Sequence, residues 1–351
     1  MKISFDIKKD LGDFVLDAAF EGDAKNLGIL GESGCGKSLT LKCIAGIETP
    51  DEGRIRVGDR VLFDSEKKIN IKPGDRRVGY LFQNYALFPN MTVEQNIAAP
   101  LKGTREEKEK LVRELIGTYR LEGLEKRLPR QLSGGQQQRT ALARMMGTRP
   151  EVILLDEPFS ALDAFLKDSM IQEFHDVMEV FGGLTVLVSH SRDEIFRLCS
   201  QTAVMDAGRV IRYADTREVF KEPRNIKTAG LTGCKNILRA KRRGDHLLFL
   251  PDWECELTTK AVLPERLCAL GVRAHYLKRS RAGEKNSVAV DIASTARLVF
   301  ETQYYLNPGG KNLSPEQQLR WFVQAEGEKE IEREGFPEYL GIPEEAMMFL
   351  E

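Results

Sequence analysis

The glycine-rich segment GESGCGKS, residues Gly31–Ser38, sets the first limit on the fold of this 351-residue chain. It matches the pattern G-x-x-x-x-G-K-[ST], in which glycines let backbone N–H groups close around a phosphate without a side-chain clash. The apolar run Asn26–Leu30 before it predicts a strand, and Leu41 and Ile44 after it predict a helix. A helix that begins near Gly36 adds its positive N-terminal end to the turn. The sequence therefore predicts an α/β fold with a phosphate-binding turn.

The polar residues of this turn suit a nucleoside triphosphate. Lys37 would supply a cation to the β- and γ-phosphates, and the Ser38 hydroxyl would coordinate Mg²⁺. Alkylation of Cys35, inside the turn, is expected to block the nucleotide. An ordinary glycine-rich turn with a chance lysine is the alternative, which the flanking strand and helix weaken. The predicted nucleotide-binding residues here are Gly31, Glu32, Ser33, Gly34, Cys35, Gly36, Lys37, Ser38 and Leu39.

Two adjacent acids form the second part of the predicted site. Val152–Glu157 reads VILLDE, so an apolar strand would end in acids where open α/β sheets bind ligands. Asp156 would hold Mg²⁺, and Glu157 would orient and deprotonate the attacking water. Solvated acids at a turn are the common alternative for such a pair. The phosphate turn earlier in the chain favours a single hydrolytic site.

A second anion-binding turn is predicted at LSGGQ, residues Leu132–Gln136, directly before a helix. Ser133, Gly134 and Gly135 at a helix start would present backbone N–H groups to an anion. An ordinary capped helix start is the alternative. Because one turn already serves the nucleotide of this chain, the second turn is interpreted as contacting a partner's nucleotide. Its predicted nucleotide-binding residues are Ser133, Gly134, Gly135 and Gln136.

The hydrophobic pattern divides the chain into regions. Residues 1–230 alternate apolar runs with helical patterns, which predicts an α/β core with a largely parallel sheet. Residues 84–150 within it are mostly helical and predict an inserted subdomain. Residues 231–351 contain runs such as Ser287–Ile292 and Arg297–Tyr305 that predict a small β-rich domain.

Composition excludes several classes of protein. Hydrophobic residues make up 42% and charged residues 30%, which is typical of a globular chain, and the net charge of −1 argues against nucleic-acid binding through bulk positive charge. No apolar stretch approaches the roughly 20 residues that cross a bilayer, and MKISFDIKKD lacks the apolar region of a secretory signal. The sequence alone predicts a cytoplasmic protein.

Taken in order, the motifs resemble the ATP-binding subunit of an ABC transporter. GESGCGKS is followed by Gln83 in LFQN, LSGGQ, VILLDE, SALD at Ser160–Asp163, and His190 in VSHS. The resemblance covers roughly residues 1–230 and implies a P-loop NTPase core that binds ATP and Mg²⁺. It also implies that Gln83 touches Mg²⁺ or the attacking water and couples the site to a membrane partner. Asp163 would lie at a dimer interface, and His190 would contact the γ-phosphate.

One position departs from the family pattern. The family stacks an aromatic ring on adenine, from a position shortly before the phosphate turn, where this chain has DLGDFVL with Leu11 at the matching place. Phe14 could stack on adenine instead, or it could be a core residue. Both interpretations are kept open.

The resemblance implies a homodimer that encloses two ATP molecules, each held by Lys37 and Ser38 of one copy and by Ser133 and Gly135 of the other. Hydrolysis would remove the bridging γ-phosphate and open the dimer. Transmembrane permease subunits would be direct partners at the cytoplasmic face of the plasma membrane, and an extracytoplasmic binding protein an indirect one. The implied catalytic residues are Glu157, His190, Gln83 and Lys37, and the implied metal-binding residues are Ser38, Gln83 and Asp156.

Less specific segments indicate the cargo. Tyr80–Ile97 resembles an import subfamily, and its apolar part, Tyr85–Pro89, would dock a permease helix or simply pack within the subdomain. KKDLGDFVLDAAFE and GCKNILRAKR resemble molybdate and sulfate importer ATPases, which implies uptake of molybdate, tungstate or sulfate. The alternatives are a sugar or iron importer and a soluble ABC ATPase without a transport role.

The same resemblance implies that residues 231–351 form a small OB/TOBE-like domain, which in some relatives binds the transported oxyanion and regulates the pump. The basic cluster Lys241, Arg242 and Arg243 would attract an oxyanion or would be a solvated turn.

Overall fold

The structure, a computed structural model, describes residues 2–160, 162, 164–311 and 313–351. The chain divides into two compact units, Met1–Arg217 and Glu218–Glu351. Among the helices of the described residues, none has the length and apolar character that crossing a membrane requires.

The first unit alternates strands and helices along most of its length. Its strands are β1 (Lys2–Asp10), β2 (Val15–Asp23), β3 (Asn26–Leu30), β4 (Glu52–Val57), β5 (Arg60–Asp64), β6 (Ile69–Asn70), β7 (Val78–Leu81), β8 (Val152–Asp156), β9 (Leu184–Ser189), β10 (Gln201–Asp206) and β11 (Arg209–Asp215). Its helices are α1 (Lys37–Ala45), α2 (Val93–Ala98), α3 (Arg105–Thr118), α4 (Gly134–Met146), α5 (Ala164–Val180), α6 (Arg192–Leu198) and α7 (Thr216–Lys221), which crosses the unit boundary.

These strands form two sheets. One is antiparallel, in the order β2-β1-β4-β5-β6, and the other has the order β11-β10-β3-β9-β8-β7. Neighbouring strands of the second sheet pair in parallel from β10 to β7. Every residue of β3, β8 and β9 is buried, as in parallel sheets covered on both faces, and this explains why these strands are continuous apolar runs in the sequence. The predicted α/β core with a largely parallel sheet is confirmed.

The helices α2, α3 and α4 form the predicted insertion, with a hydrophobic core of their own. Each begins with a capping box, in which the cap side chain and the third helical residue satisfy each other's backbone N–H groups. The buried residues that these helices and their connections share are Val93, Ile97, Leu101, Val112, Ile116, Leu121, Leu132 and Ala143.

The second unit is β-rich, as predicted. Its strands are β12 (Asn236–Arg239), β13 (Lys241–Arg242), β14 (Leu247–Leu250), β15 (Cys255–Thr258), β16 (Ala269–Val272), β17 (Lys278–Ser280), β18 (Ser287–Arg297), β19 (Glu301–Pro308), β20 (Leu319–Gln324), β21 (Tyr339–Gly341) and β22 (Met347–Leu350), and its helices are α8 (Ile226–Leu231) and α9 (Ala325–Glu334). They form antiparallel sheets with the orders β12-β16-β22, β13-β14-β15 and β17-β21-β18-β19-β20, consistent with an OB/TOBE-like domain.

The boundary between the units lies before residue 230, where the sequence pattern changes. The difference comes from α8, which continues the helical pattern of the first region but packs on strands of the second. Ala229 of this helix is fully buried in a cluster with Cys234, Ala269 and Leu350.

The run Arg297–Tyr305, from which short strands and turns are predicted, contains a turn followed by most of β19. The chain reverses at Leu298–Phe300, where the N–H of Leu298 donates to the carbonyl oxygen of Glu301 at 2.9 Å. Val299 and Phe300 are 87% and 82% exposed. An apolar triplet predicts a strand, but the antiparallel pairing of β18 with β19 on either side makes this triplet the turn.

Candidate nucleotide-binding site

The carboxyl ends of adjacent parallel strands bring the predicted residues to one edge of the sheet. The phosphate turn follows β3, β8 ends at Asp156, His190 follows β9, and Gln83 follows β7. The strands β3 and β9 are in register at Leu30 and Ser189, directly before the phosphate turn and His190. Ligands of open α/β sheets bind outside this edge. The sheet therefore collects motifs that are far apart in the sequence.

The glycines of the phosphate turn are required by its shape. Gly34 and Gly36 have φ angles of 81° and 104°, in the left-handed region that side chains disfavour. At Gly31 an added Cβ would lie 2.5 Å from the carbonyl oxygen of Met205, so no larger residue fits without movement. The turn thus keeps its backbone close to its neighbours, as a phosphate cradle needs.

Lys37 lies at the first position of α1 and is only 4% exposed. Its Nζ donates to the carbonyl oxygens of Gly31 at 3.0 Å and Glu32 at 2.7 Å, and is 3.9 Å from Oε1 of Glu157. The ammonium group is therefore held inside the turn, beside the predicted base.

Asp156 is held at both carboxylate oxygens. Ser38 Oγ donates to Oδ1 at 2.6 Å, and Tyr80 Oη donates to Oδ2 at 2.7 Å. Burial, with the Asp156 charge adding to it, raises the pKa of Tyr80 well above its usual range, so the phenol is a neutral donor. Sequence reasoning missed Tyr80, because one tyrosine in an apolar strand carries no signal of its own.

The oxygens of Ser38 and Asp156 fit Mg²⁺, which binds hard oxygen ligands. Within the described residues no group of three or more His, Cys, Asp or Glu side chains could hold a metal ion.

Glu157 follows Asp156 in a left-handed conformation, with φ of 45°. Its N–H donates to the carbonyl oxygen of Val188 at 3.0 Å, and its own carbonyl oxygen accepts from Ser160 N at 3.2 Å and Oγ at 2.9 Å. Nδ1 of the half-exposed His190 is 3.2 Å from Glu157 Oε2. The carboxylate thus lies between His190 and Lys37, at the strand ends where a base for the attacking water is predicted.

Gln83 is exposed, two residues beyond β7. The segment after it is tied to α4, since the guanidinium of Arg144 donates to the carbonyl oxygens of Tyr85 at 2.9 Å and Ala86 at 2.8 Å. Tyr85 is buried, whereas Phe88 remains 47% exposed. Part of the Tyr85–Pro89 segment therefore packs inside, and part faces outward.

Phe14 is half-buried and packs against the core of the first unit. An added Cβ at Gly36 would lie 3.0 Å from its ring, which places the ring beside the phosphate turn. Leu11 is 55% exposed in the turn between β1 and β2. Stacking of Phe14 on adenine stays a prediction.

The LSGGQ turn is a capped helix start that still has a free donor. Ser133 Oγ accepts from the N–H of Gln136 at 3.3 Å, and Gln136 Oε1 accepts from the N–H of Ser133 at 2.9 Å. Since the serine oxygen accepts, its hydroxyl proton is left to donate outward. Ser133 and Gly134 are exposed, and Gly135 is buried. Asp163 lies outside the described residues.

Comparison with known proteins identifies the family. Residues 22–160 match the family described as ABC transporter. The trehalose/maltose import ATP-binding protein MalK of Thermococcus litoralis is 42% identical over 254 residues, which are 71% of this chain and 67% of MalK. The sulfate/thiosulfate import ATP-binding protein CysA of Brucella melitensis biotype 1 is 42% identical over 293 residues, 78% of this chain and 80% of CysA. This chain belongs to the ABC transporter family.

Two further similarities add to this. The spermidine/putrescine import ATP-binding protein PotA of Nitratidesulfovibrio vulgaris is 38% identical over 256 residues, 72% of this chain and 68% of PotA. The structure of a dimeric post-hydrolysis state of the ATP-binding cassette MJ0796, bound to ADP and Pi, superposes with a TM-score of 0.52 and 26% identity over 61% of this chain and 99% of that one. The chain is an ABC ATP-binding subunit of importer type, an ATP-driven translocase.

In the basic cluster Lys241–Arg243 of the second unit, the two arginines contact neighbouring protein groups. Arg242 forms an ion pair with Asp245 and donates to the carbonyl oxygen of Gly244 at 3.3 Å. The guanidinium of Arg243 lies 5.0 Å from the centre of the Phe249 ring. These contacts favour the solvated turn over an oxyanion site.

A cleft of about 1160 Å³ in the ABC core contains none of the nucleotide residues. It lies beside the carboxyl-terminal ends of α2 and α4. In this region the carboxylate of Glu151 accepts hydrogen bonds from Arg77 at 2.6 Å and from Arg60 at 2.9 Å. The basic residues of its lining are Arg60, Arg77, Lys102, Lys108, Lys110 and Arg149.

Proposed function

We propose that this chain is the ATP-hydrolysing subunit of an ABC importer, working as a homodimer on separate transmembrane permease subunits. Its place is the cytoplasmic face of the membrane, with an extracytoplasmic binding protein as indirect partner. One observation carries the proposal, namely the convergence at one sheet edge of Lys37, Ser38, Asp156, Glu157 and His190.

Each side chain has a role that its contacts support. Lys37 neutralises phosphate charge from within the turn, and Ser38 and Asp156 hold Mg²⁺, with Gln83 at the neighbouring strand end. Glu157 accepts the proton of the attacking water. Bound ATP would supply the γ-phosphate that the water attacks, with ADP as the leaving group, and bound Mg²⁺ would neutralise phosphate charge.

His190 and the LSGGQ turn complete the proposed site. His190 orients the Glu157 carboxylate through the 3.2 Å contact and faces the γ-phosphate with the rest of its half-exposed ring. Ser133, Gly134, Gly135 and Gln136 bind the ATP of the other copy through the free hydroxyl proton and the exposed helix start. The proposed homodimer depends on these contacts of the LSGGQ turn with the ATP of the other copy.

The catalytic proposal is tested by Glu157→Gln. We expect ATP turnover to fall by roughly 10²- to 10⁴-fold while equilibrium ATP binding is kept. Lys37→Ala should lose tight ATP binding. Glu179→Gln, on the exposed face of α5, is the matched control and should behave as the parent. Near-normal turnover of Glu157→Gln would remove Glu157 as the base.

For the cargo we propose an oxyanion, with molybdate as the first candidate and tungstate or sulfate next. The similarity to the sulfate/thiosulfate importer subunit extends over 78% of this chain, further than the 71% shared with the trehalose/maltose subunit and the 72% shared with the spermidine/putrescine subunit. Identities of 38–42% to subunits with such different cargoes do not by themselves select one.

Uptake by the complete transporter decides the cargo. The chain would be purified with its permease, reconstituted in vesicles with the binding protein, and assayed for ATP-dependent uptake of molybdate, sulfate, maltose and spermidine. Molybdate uptake supports the proposal, and uptake of sulfate alone keeps the oxyanion class but removes molybdate. Uptake of maltose or spermidine alone removes the oxyanion. The complex with Glu157→Gln should transport none of them.

A further inference from the structure

Gln138 lies on α4, two residues beyond the LSGGQ turn, and its side chain is fully buried. Its Nε2 donates to the carbonyl oxygen of Pro158 at 3.1 Å. Its Oε1 has no hydrogen-bond partner among the described residues. A buried amide with an unpartnered oxygen contributes less to the stability of the folded protein than an apolar side chain of the same size. The single bond to Pro158, directly after Glu157, therefore suggests a role other than stability.

That bond lies where the backbone is strained. The left-handed conformation of Glu157 is unfavourable for a residue with a Cβ, so it persists only if its surroundings fix it. On one side the N–H of Glu157 is bound to Val188, and on the other its carbonyl oxygen is bound to Ser160. Gln138, on the helix that LSGGQ begins, fixes the next carbonyl, that of Pro158.

The same helix is attached to this region elsewhere. Arg139 and Glu173 form an ion pair between α4 and α5, with Nε and Oε2 2.9 Å apart. An added Cβ at Gly134 would be 3.5 Å from Leu162. A displacement of the helix start at Ser133 would consequently reach the segment that follows Glu157.

We propose that Gln138 is a positioning residue that links the LSGGQ turn to the general base of its own subunit. When the partner's nucleotide binds at Ser133, α4 is held in place, and the bond from Gln138 to Pro158 keeps Glu157 in its hydrolytic conformation. Each copy then hydrolyses its own ATP fastest when it also holds the ATP of its partner. The inference rests on the proposed function, in particular on Glu157 as the base and on the homodimer.

The test is Gln138→Leu in the full-length chain, with Gln138→Met as a second variant if the first does not fold. Both variants approximately keep the side-chain volume of Gln138 and remove the Nε2 donor. Gln172→Leu is the matched control, since Gln172 is exposed on α5 and, within the part of the chain that the structure describes, donates a hydrogen bond to Asp176 alone, at 3.2 Å. The measurements are ATPase kcat, KM and Hill coefficient, together with the thermal unfolding midpoint.

We expect kcat to fall about 10- to 100-fold, as for a small misplacement of a catalytic group. KM for ATP should stay within about two-fold, and the Hill coefficient should fall from above 1 in the parent towards 1. The midpoint should change little, because the variant removes the unpartnered Oε1 but leaves the buried carbonyl oxygen of Pro158 without its donor. A kcat within about two-fold of the parent, a parent without cooperativity, or a loss of kcat that only follows a lower midpoint would each overturn the inference.

The failure of this inference is distinguishable from failure of the proposed function. If Glu157→Gln retains turnover in the same assay, the proposed base is wrong. If Glu157→Gln is inactive while Gln138→Leu turns over normally, the base stands and only the link through Gln138 is wrong.

Discussion

The carboxylate of Asp156 cannot rotate without breaking a hydrogen bond, because Ser38 and Tyr80 each hold one of its oxygens. Mg²⁺ demands near-ideal geometry from its ligands, so a carboxylate fixed in advance binds it with less loss of freedom. If Asp156 holds Mg²⁺ as proposed, Tyr80 contributes to metal binding without contacting the metal. Partners of this kind are typically worth 10- to 100-fold in metal affinity or activity.

Tyr80→Phe removes that donor and leaves the ring in place. We expect the Mg²⁺ concentration for half-maximal ATPase activity to rise by about 10- to 100-fold, while ATPase at saturating Mg²⁺ changes much less. A Mg²⁺ titration of ATPase activity measures this. Tyr119→Phe, which removes a half-buried phenol that packs against the core of the helical subdomain, is the control. An unchanged titration would mean that Ser38 alone orients Asp156.

Cys35 is a buried residue of the phosphate turn, and burial raises the pKa of its thiol. The thiolate is the form of cysteine that reacts. At about pH 8, which is below the usual thiol pKa, a raised pKa makes the thiolate fraction of Cys35 smaller than that of an ordinary cysteine. We therefore expect iodoacetamide to label the exposed Cys268 first and to spare Cys35 in native protein, with ATP binding retained. Labelling of Cys35 should increase as the pH rises towards its raised pKa.

Peptide mapping by mass spectrometry after timed labelling measures these rates, with urea-unfolded protein as the reference in which all thiols react. Rapid labelling of Cys35 in native protein at about pH 8 would contradict the burial argument. The sequence-based expectation that alkylation of Cys35 blocks ATP depends on access from solvent, and the buried thiol does not offer that access.

Apart from Phe14, the site residues that the sequence predicts share one property, which is that each belongs to a short contiguous motif. Local spacing is enough to identify Lys37 or Ser38, because a phosphate turn is built from neighbours in the chain. Tyr80 and Gln138 act through Asp156 and Pro158, which are far from them in the sequence. Only the packing of strands and helices reveals such partners, so sequence patterns do not.

Among the elements, the connection of β9 to α6 depends on one buried carboxylate. Glu194 is 4% exposed, accepts from Ser189 Oγ at 2.5 Å, and pairs with Lys167 of α5 at 2.6 Å. Ser189 Oγ also accepts from the N–H of Ser191 at 2.8 Å. The turn that carries His190 is thus fixed from both sides and tied to α5.

Glu194→Gln removes the charge that Lys167 pairs with. Because Lys167 is one-third exposed and can find water, we expect a loss of about 1–3 kcal/mol in the free energy of unfolding. Urea denaturation measures it. Asp193→Asn, at the exposed neighbouring position, is the control and should change stability by no more than about 0.5 kcal/mol. Equal stability of the two variants would refute a role for the buried pair.

Sequence predicts elements that have a clear hydrophobic pattern, but it does not predict features that depend on tertiary pairing. The strand predicted at Val152–Leu155 is confirmed, because a fully buried parallel strand has no polar residue to disturb the pattern. In the run Arg297–Tyr305, which predicts short strands and turns, the exposed apolar residues Leu298–Phe300 do not show by themselves where the turn lies. Likewise α8 has a helical pattern that does not tell which unit it packs on.

In the proposed function the molecule presents two separate halves of a nucleotide site, the phosphate turn at the sheet edge and the LSGGQ turn at the start of α4. Among the described residues no acceptor takes the hydroxyl proton of Ser133, and this end of the helix is exposed. If both halves bind one ATP, they must come from different copies in the proposed arrangement. ATP should then act as the link between copies, and its hydrolysis should release them.

This link is testable in the Glu157→Gln background, where bound ATP persists. With ATP and Mg²⁺ we expect a dimer in sedimentation velocity, and with ADP a monomer. Adding Ser133→Asp should abolish the dimer, because an aspartate keeps the helix cap but places a negative charge against the partner's phosphates. Since the cap is kept, thermal stability and ATP binding by the monomer should be unchanged. A double variant that still forms the ATP-dependent dimer would show that Ser133 does not contact the partner's nucleotide, and the homodimer would then need a different interface.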